Sequence, residues 1–283
     1  MTTRWRTIQR AKSPELGALA IYLAGPGEDK DGDGIGDLDE AIAAALPDVG
    51  IVATTSSGLV DTAADLRRAA EACGASEVVA LAGFSGGCQG VRAHLLRGAT
   101  FRAVLVIDGT ASNWPKLEPL HIGLWRDLGA RARRGEMLFV ATCTAQRYTQ
   151  RLARPYAATS TVLGEALGSV ELATYKPTRS PLLTYPGLPV VELHDGGLHA
   201  LGYPGTDCDK WAHIHQLTHV LPWALGRYLA PWLRGDDDAS GGVRALLGGL
   251  WAKGQAVAEE LVSRMLRHSR GSRAFARCAV LSR

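Results

Sequence analysis

Short runs of apolar residues alternate along this chain with longer segments in which apolar positions recur every three or four residues. The runs at 19–23, 50–54, 77–82, 101–107, 137–142 and 189–193 are too short for globular helices and read as buried strands. The segments at 38–46, 61–73 and 87–97 read as helices, with Asp61 as N-cap of the second, and a long helix is predicted over 209–229. Strands that alternate with helices imply a mostly parallel sheet covered on both faces. The pattern therefore predicts a three-layer α/β/α domain over residues 1–235. Two connections, 112–135 and 145–187, are longer than a crossover needs, and at the carboxyl ends of parallel strands such segments form lids and pocket walls. They carry Trp114, Trp125, Tyr148, Tyr156 and Tyr175, bulky enough to line an apolar substrate site or to pack beneath a cap.

The acidic, glycine-containing stretch 236–242 reads as a linker. Beyond it Leu246, Leu247, Leu250, Trp251, Val257, Leu261 and Met265 recur at helical spacing, which predicts a C-terminal amphipathic helix in a tail over 236–283. The formal net charge of +3 is unevenly placed, because eight Arg/Lys stand against two Glu after Gly242. The tail is therefore basic and the body slightly acidic, so no nucleic-acid partner is expected of the body. The tail has the character to dock on the body, to mediate dimerisation or to contact an anionic surface. No apolar run approaches the roughly 18 residues of a membrane span, and the N-terminal residues lack the apolar segment of a secretory signal. Five cysteines without paired spacing predict reduced thiols, with the cytoplasm as the default compartment.

The run at 77–82 leads directly into Gly83-Phe84-Ser85-Gly86-Gly87, and a helix-like segment follows. Small residues on either side of the serine let the chain reverse sharply from strand to helix. That turn lifts the hydroxyl above the sheet edge and aims the first helical N–H groups at a reacting oxygen. With this frame the chain resembles the α/β-hydrolase superfamily over roughly residues 16–233. The resemblance implies Ser85 as a nucleophile, served by a histidine base that a carboxylate orients, in the chain order nucleophile, acid, histidine.

In many members the acid follows the strand corresponding to 137–142, but here that strand runs into Cys143-Thr144-Ala145-Gln146 without a carboxylate. The other location used in the superfamily is the end of the strand after the nucleophile helix, where Asp108 closes an apolar run. Asp108 is therefore the candidate acid, with helix or turn capping as its alternative role. The base is expected after the last strand, where His199 follows a glycine pair and His213 lies near the start of the final helix; His194 and His215 are further candidates. For an oxyanion hole the N–H of Gly86 is the natural first donor, and Gly25 or Gly27 the second, since Pro26 between them has no N–H.

Between the first strand and first helix, residues 29–40 match the spacing of an EF-hand calcium loop. Asp29, Asp31, Asp33, Asp37 and Glu40 supply side-chain oxygens at positions 1, 3, 5, 9 and 12, Ile35 a carbonyl at position 7, and Gly34 the sharp turn at position 6. So many carboxylates repel one another unless a cation screens them. No helix precedes the loop, and the apolar residue falls one place early, so the segment resembles an isolated calcium loop of the thrombospondin type 3 kind. A structural calcium is the expected cofactor, and it argues gently for action outside the cell.

Together these features predict a serine hydrolase that cleaves carboxylic esters of a small or lipid-like substrate. The alternatives are a non-catalytic binding module that keeps the fold, or an envelope- or wall-directed acyl hydrolase targeted by its basic tail.

Overall fold

Eight strands make a single sheet: β1 (Arg6–Gln9), β2 (Ala18–Leu23), β3 (Gly50–Thr54), β4 (Val78–Phe84), β5 (Ala103–Ile107), β6 (Leu138–Cys143), β7 (Val191–Asp195) and β8 (Leu198–Gly202). Their spatial order is β1-β3-β2-β4-β5-β6-β8-β7. The structure, a computed structural model, describes residues 5–23, 35–55, 63–110, 112, 116–145, 157–175, 189–205 and 210–236; for 35–37, 210 and 211 it describes the backbone alone. The six strands from β3 to β8 in that order run parallel, and β1 and β7 close the two edges antiparallel. β2, β5 and β6 are buried at every residue, which explains their unbroken apolar sequences: strands covered on both faces have no polar side to present.

One face of the sheet is covered by α2 (Ala63–Cys73), α3 (Cys88–Leu96), α4 (Pro119–Arg133), α5 (Thr159–Leu167) and α6 (Val170–Thr174), whose apolar residues join the even positions of β2 in one core. The other face carries α1 (Ile35–Ala45) and a helical run made of α7 (Lys210–His215), α8 (Leu221–Ala224) and α9 (Ala230–Arg234). π-helical turns at Gln216–Val220 and Leu225–Leu229 join these three pieces. Each π-turn ends just ahead of a proline, Pro222 or Pro231, whose missing N–H and bulky ring a regular α-turn does not accommodate. The fold is thus the expected three-layer, mostly parallel, α/β-hydrolase-like architecture.

Several local expectations change. β1 has no apolar run and pairs as an edge strand with β3. α1 begins three residues earlier than the apolar pattern indicates. The connection 112–135 is largely the helix α4, whose Ile122, Trp125, Leu128, Gly129 and Ala132 recur at helical spacing. Trp125 consequently lines no pocket: it is fully buried and stacks on Phe139 with ring centroids 6.1 Å apart. Removing a ring of roughly 200 Å² from water contributes about 5 kcal/mol, which outweighs the cost of about 1–3 kcal/mol for an indole N–H that finds no acceptor among the described residues. Trp114, Tyr148 and Tyr156 lie outside the described residues, as does the tail beyond 236, including its expected amphipathic helix. Of the cysteines, Cys73, Cys88 and Cys143 are buried free thiols.

The largest correction concerns the end of the sheet. The run at 189–193 is not the last parallel strand. β7 runs against the others, turns at Asp195–Leu198 and returns as β8, which is the parallel one. Its exit turn therefore lies at the edge where the parallel strands begin.

Burial also sets an acid sensitivity. His94, His199 and His215 are each pushed down to about 4, chiefly because burial disfavours the imidazolium, with Arg97, His194 and His219 respectively adding repulsion. In the unfolded chain these side chains take up protons near pH 6.5, so below that pH the unfolded state binds more protons and gains stability relative to the native one. The contribution present above about pH 6.5 should be lost progressively down to about pH 4, read as a falling urea midpoint across that range, and His94→Gln should flatten the slope.

Candidate active site

β4 delivers the chain to Ser85 through Gly83, where a Cβ would stand 2.8 Å from the Cα of Cys88; only a glycine lets the strand and the helix it feeds approach so closely. A 3-10 turn over Ser85–Gly87 passes directly into α3, and Ser85 itself adopts φ 53°, a left-handed conformation costly for a residue with a side chain. Cys88 packs behind the turn, its thiol donating to the Gly83 carbonyl at 3.0 Å. Burial raises that thiol to about 12, which keeps it protonated and inert.

Asp108 occupies the matching position on the neighbouring strand. Phe84 and Ile107 are register partners, so Ser85 and Asp108 each stand one residue past a paired position at the same edge of the sheet. Asp108 also has a positive φ, 44°. Gly109, next in the chain, packs so tightly on the elbow that a Cβ would lie 2.1 Å from the Ser85 carbonyl oxygen.

His213 Nδ1 donates to Asp108 Oδ2 at 2.8 Å, and the two side chains are 13% and 1% exposed. The imidazole stacks on Phe84, the residue before Ser85, with ring centroids 4.5 Å apart at 29°. An ionised carboxylate only accepts hydrogen bonds, so the proton must sit on Nδ1 and the neutral ring keeps its lone pair on Nε2. A ring held in that tautomer and stacked beside the turn that carries Ser85 can take up a proton at Nε2, while Asp108 stabilises the imidazolium that results.

His199, the other candidate base, is not brought to this edge. It lies inside β8, in register with Val140, Leu105 and Ala82 across the sheet. That places it three strand spacings from β4, about 14 Å sideways, and roughly 10 Å back from the level of Ser85. Its Nδ1 instead meets His194 Nδ1 at 2.8 Å, and its ring stacks on Tyr228 at 4.2 Å. It lines a cavity of about 430 Å³ at the opposite end of the strands, together with Arg102, Glu136, Tyr228 and Trp232. His194, its cross-strand partner, donates from Nε2 to Glu192 Oε2 at 2.8 Å and lies one strand farther away. His215 is buried two residues beyond His213, against His219.

Of the expected oxyanion donors, Gly86 sits in the 3-10 turn directly after Ser85, and Gly25 lies outside the described residues. Most of the expected calcium loop lies outside them too: Asp29, Asp31 and Asp33 are not described, and Ile35 and Asp37 are described only as backbone in the first turn of α1. Glu40 is an exposed residue of that helix. Sequence reading missed Thr144, which donates from its backbone N–H to Asp108 Oδ1 at 2.9 Å and from its hydroxyl to Oδ2 at 2.8 Å. The available signal was its position directly after β6, at the sheet edge where Asp108 follows the neighbouring strand.

No family model matches the chain, and no curated protein is similar to it in sequence. Among solved structures it is similar to an α/β serine hydrolase without lid from Xanthomonas campestris, with a TM-score of 0.33 and 14% identity over 82% of this chain and 95% of that one.

Proposed function

We propose that this chain is a serine hydrolase that cleaves carboxylic esters through an acyl-enzyme on Ser85. The observation that carries the reading is the 2.8 Å bond between His213 Nδ1 and the buried Asp108, at the sheet edge where β4 turns at Ser85. In this reading Ser85 Oγ attacks the ester carbonyl as its proton passes to His213 Nε2. Asp108 keeps Nδ1 protonated and balances the imidazolium, and the N–H of Gly86 donates to the oxyanion. Collapse of the tetrahedral intermediate expels the alcohol, which takes the proton from Nε2. Water then repeats the sequence, releasing the carboxylic acid and restoring Ser85. The expected readout is a covalent adduct: a fluorophosphonate should add one phosphonyl group to the protein, and peptide mass mapping should place it on Ser85. A protein that hydrolyses no member of a p-nitrophenyl ester chain-length series and takes up no phosphonyl group is the non-catalytic module instead.

A structural calcium at 29–40 remains part of the proposal, supported by the hardness and spacing of its oxygen donors. Its residues from Ile35 onward form the start of α1, so an ion held there would tie that helix to the segment that follows β2 and carries Gly25. Removal with a chelator should lower the melting temperature by several degrees and restoration of calcium should reverse it, while magnesium at equal concentration should not. An unchanged melting curve on chelation removes the ion from the reading.

A further inference from the structure

Asp108 is held by Thr144, which follows the end of β6. Its carboxylate accepts from Thr144 N, from Thr144 Oγ1 and from His213 Nδ1. Two of these three donors therefore come from one residue, the first past the end of the adjacent strand β6. The hydroxyl faces an ionised acceptor, so it can only donate, and Thr144 is completely buried, so water does not compete for that bond. Asp108 needs such support, because a left-handed φ of 44° is strained for a non-glycine residue and its surroundings must offset that strain.

The same stretch of β6 also grips the other partner. The carbonyl of Thr142 accepts from the Asp108 N–H at 2.9 Å, and the Thr142 hydroxyl donates to Gln216 Oε1 at 2.6 Å. Gln216 follows His213 by three residues in the helical run. The end of β6 is thus attached both to the acid and to the element that carries the imidazole, and it sets the distance between them.

We infer that Thr144 is the positioning residue of the Asp108–His213 pair: its two donors orient the carboxylate so that Oδ2 meets Nδ1. The inference rests on the reading of that pair as the partner of Ser85. Thr144→Val keeps the shape and the backbone N–H and removes only the hydroxyl donor. With that donor gone, Oδ2 concentrates its charge on the imidazolium, and the carboxylate is freer to turn. The fluorophosphonate labelling rate of Ser85 is expected to fall about 10–100-fold at its plateau, and the acid limb of its pH profile to move to higher pH. Thr144→Ser, which restores the hydroxyl, should return both to within about threefold of wild type. A purely structural role predicts a lower melting temperature with an unchanged rate and profile per folded molecule, and that result overturns the inference.

The low-field proton spectrum separates this failure from failure of the hydrolase reading. A bridging Nδ1–H resonance assigned to His213 should be present in wild type and Thr144→Ser and displaced or lost in Thr144→Val, whether or not Ser85 labels. An identical resonance in all three proteins overturns the positioning role. A resonance displaced in Thr144→Val, in a protein whose wild type never labels, retains the positioning role and discards the hydrolase.

Discussion

Ser85→Ala should abolish phosphonyl labelling and lower ester turnover by about 10⁶-fold, leaving a residue of rate acceleration from binding and the oxyanion donors alone. The size follows from the chemistry: without Oγ no acyl-enzyme forms, and water would have to attack directly from a site shaped for a covalent intermediate. Stability should move little, since alanine inherits the same left-handed backbone at φ 53°. Ser85→Gly makes the sharper test. Glycine relieves that conformation, so this variant should be as inactive as alanine yet melt at a higher temperature than either. Full turnover in Ser85→Ala would move the nucleophile elsewhere, and loss of activity accompanied by unfolding would leave the elbow a structural turn.

His213→Ala should match Ser85→Ala in its loss of activity, because a serine without its base is as poor a nucleophile as no serine. His199→Ala should leave turnover within about threefold and act on stability instead. It removes a half-buried ring stacked on Tyr228 and the bond to His194, a change on the order of 1–3 kcal/mol. Asp108→Asn belongs to the same panel. An amide can donate to Nδ1, which favours the wrong tautomer and takes the lone pair from Nε2, for a loss of about 10⁴-fold. The comparison of the two histidine variants, at equal folded concentration, decides which end of the sheet carries the chemistry. Activity that survives His213→Ala and vanishes in His199→Ala reverses the assignment.

The distribution of legible and illegible features has a physical pattern. β2, β4, β5 and β6 could be read because strands buried on both faces must be apolar throughout. The Gly83–Ser85–Gly87 turn could be read because a strand-to-helix reversal at close quarters tolerates only small residues, and Gly83 against Cys88 shows the constraint directly. Asp108 stood out because a carboxylate has no reason to end such a strand unless something receives it. α4 left its helical spacing in plain view, but a long stretch between strands invited a reading as pocket wall. β1, with four residues and no apolar run, left no such signal.

By itself the sequence determined the alternation of elements, the layered fold that alternation requires, and the two residues, Ser85 and Asp108, that stand one step past paired positions on neighbouring strands. These depend on local periodicity and on which residues can be buried, both written in consecutive letters. Tertiary structure decided which histidine meets Asp108. A short apolar run carries no mark of its direction in a sheet: β7 can be parallel or antiparallel with the same residues, and only its pairing with β8 sends His194 and His199 to the far edge. His213 then reaches Asp108 across more than a hundred residues of chain, and Thr144 reaches the same carboxylate from the strand beside it. Contacts of that separation are set by how the layers close on one another, not by any spacing along the chain.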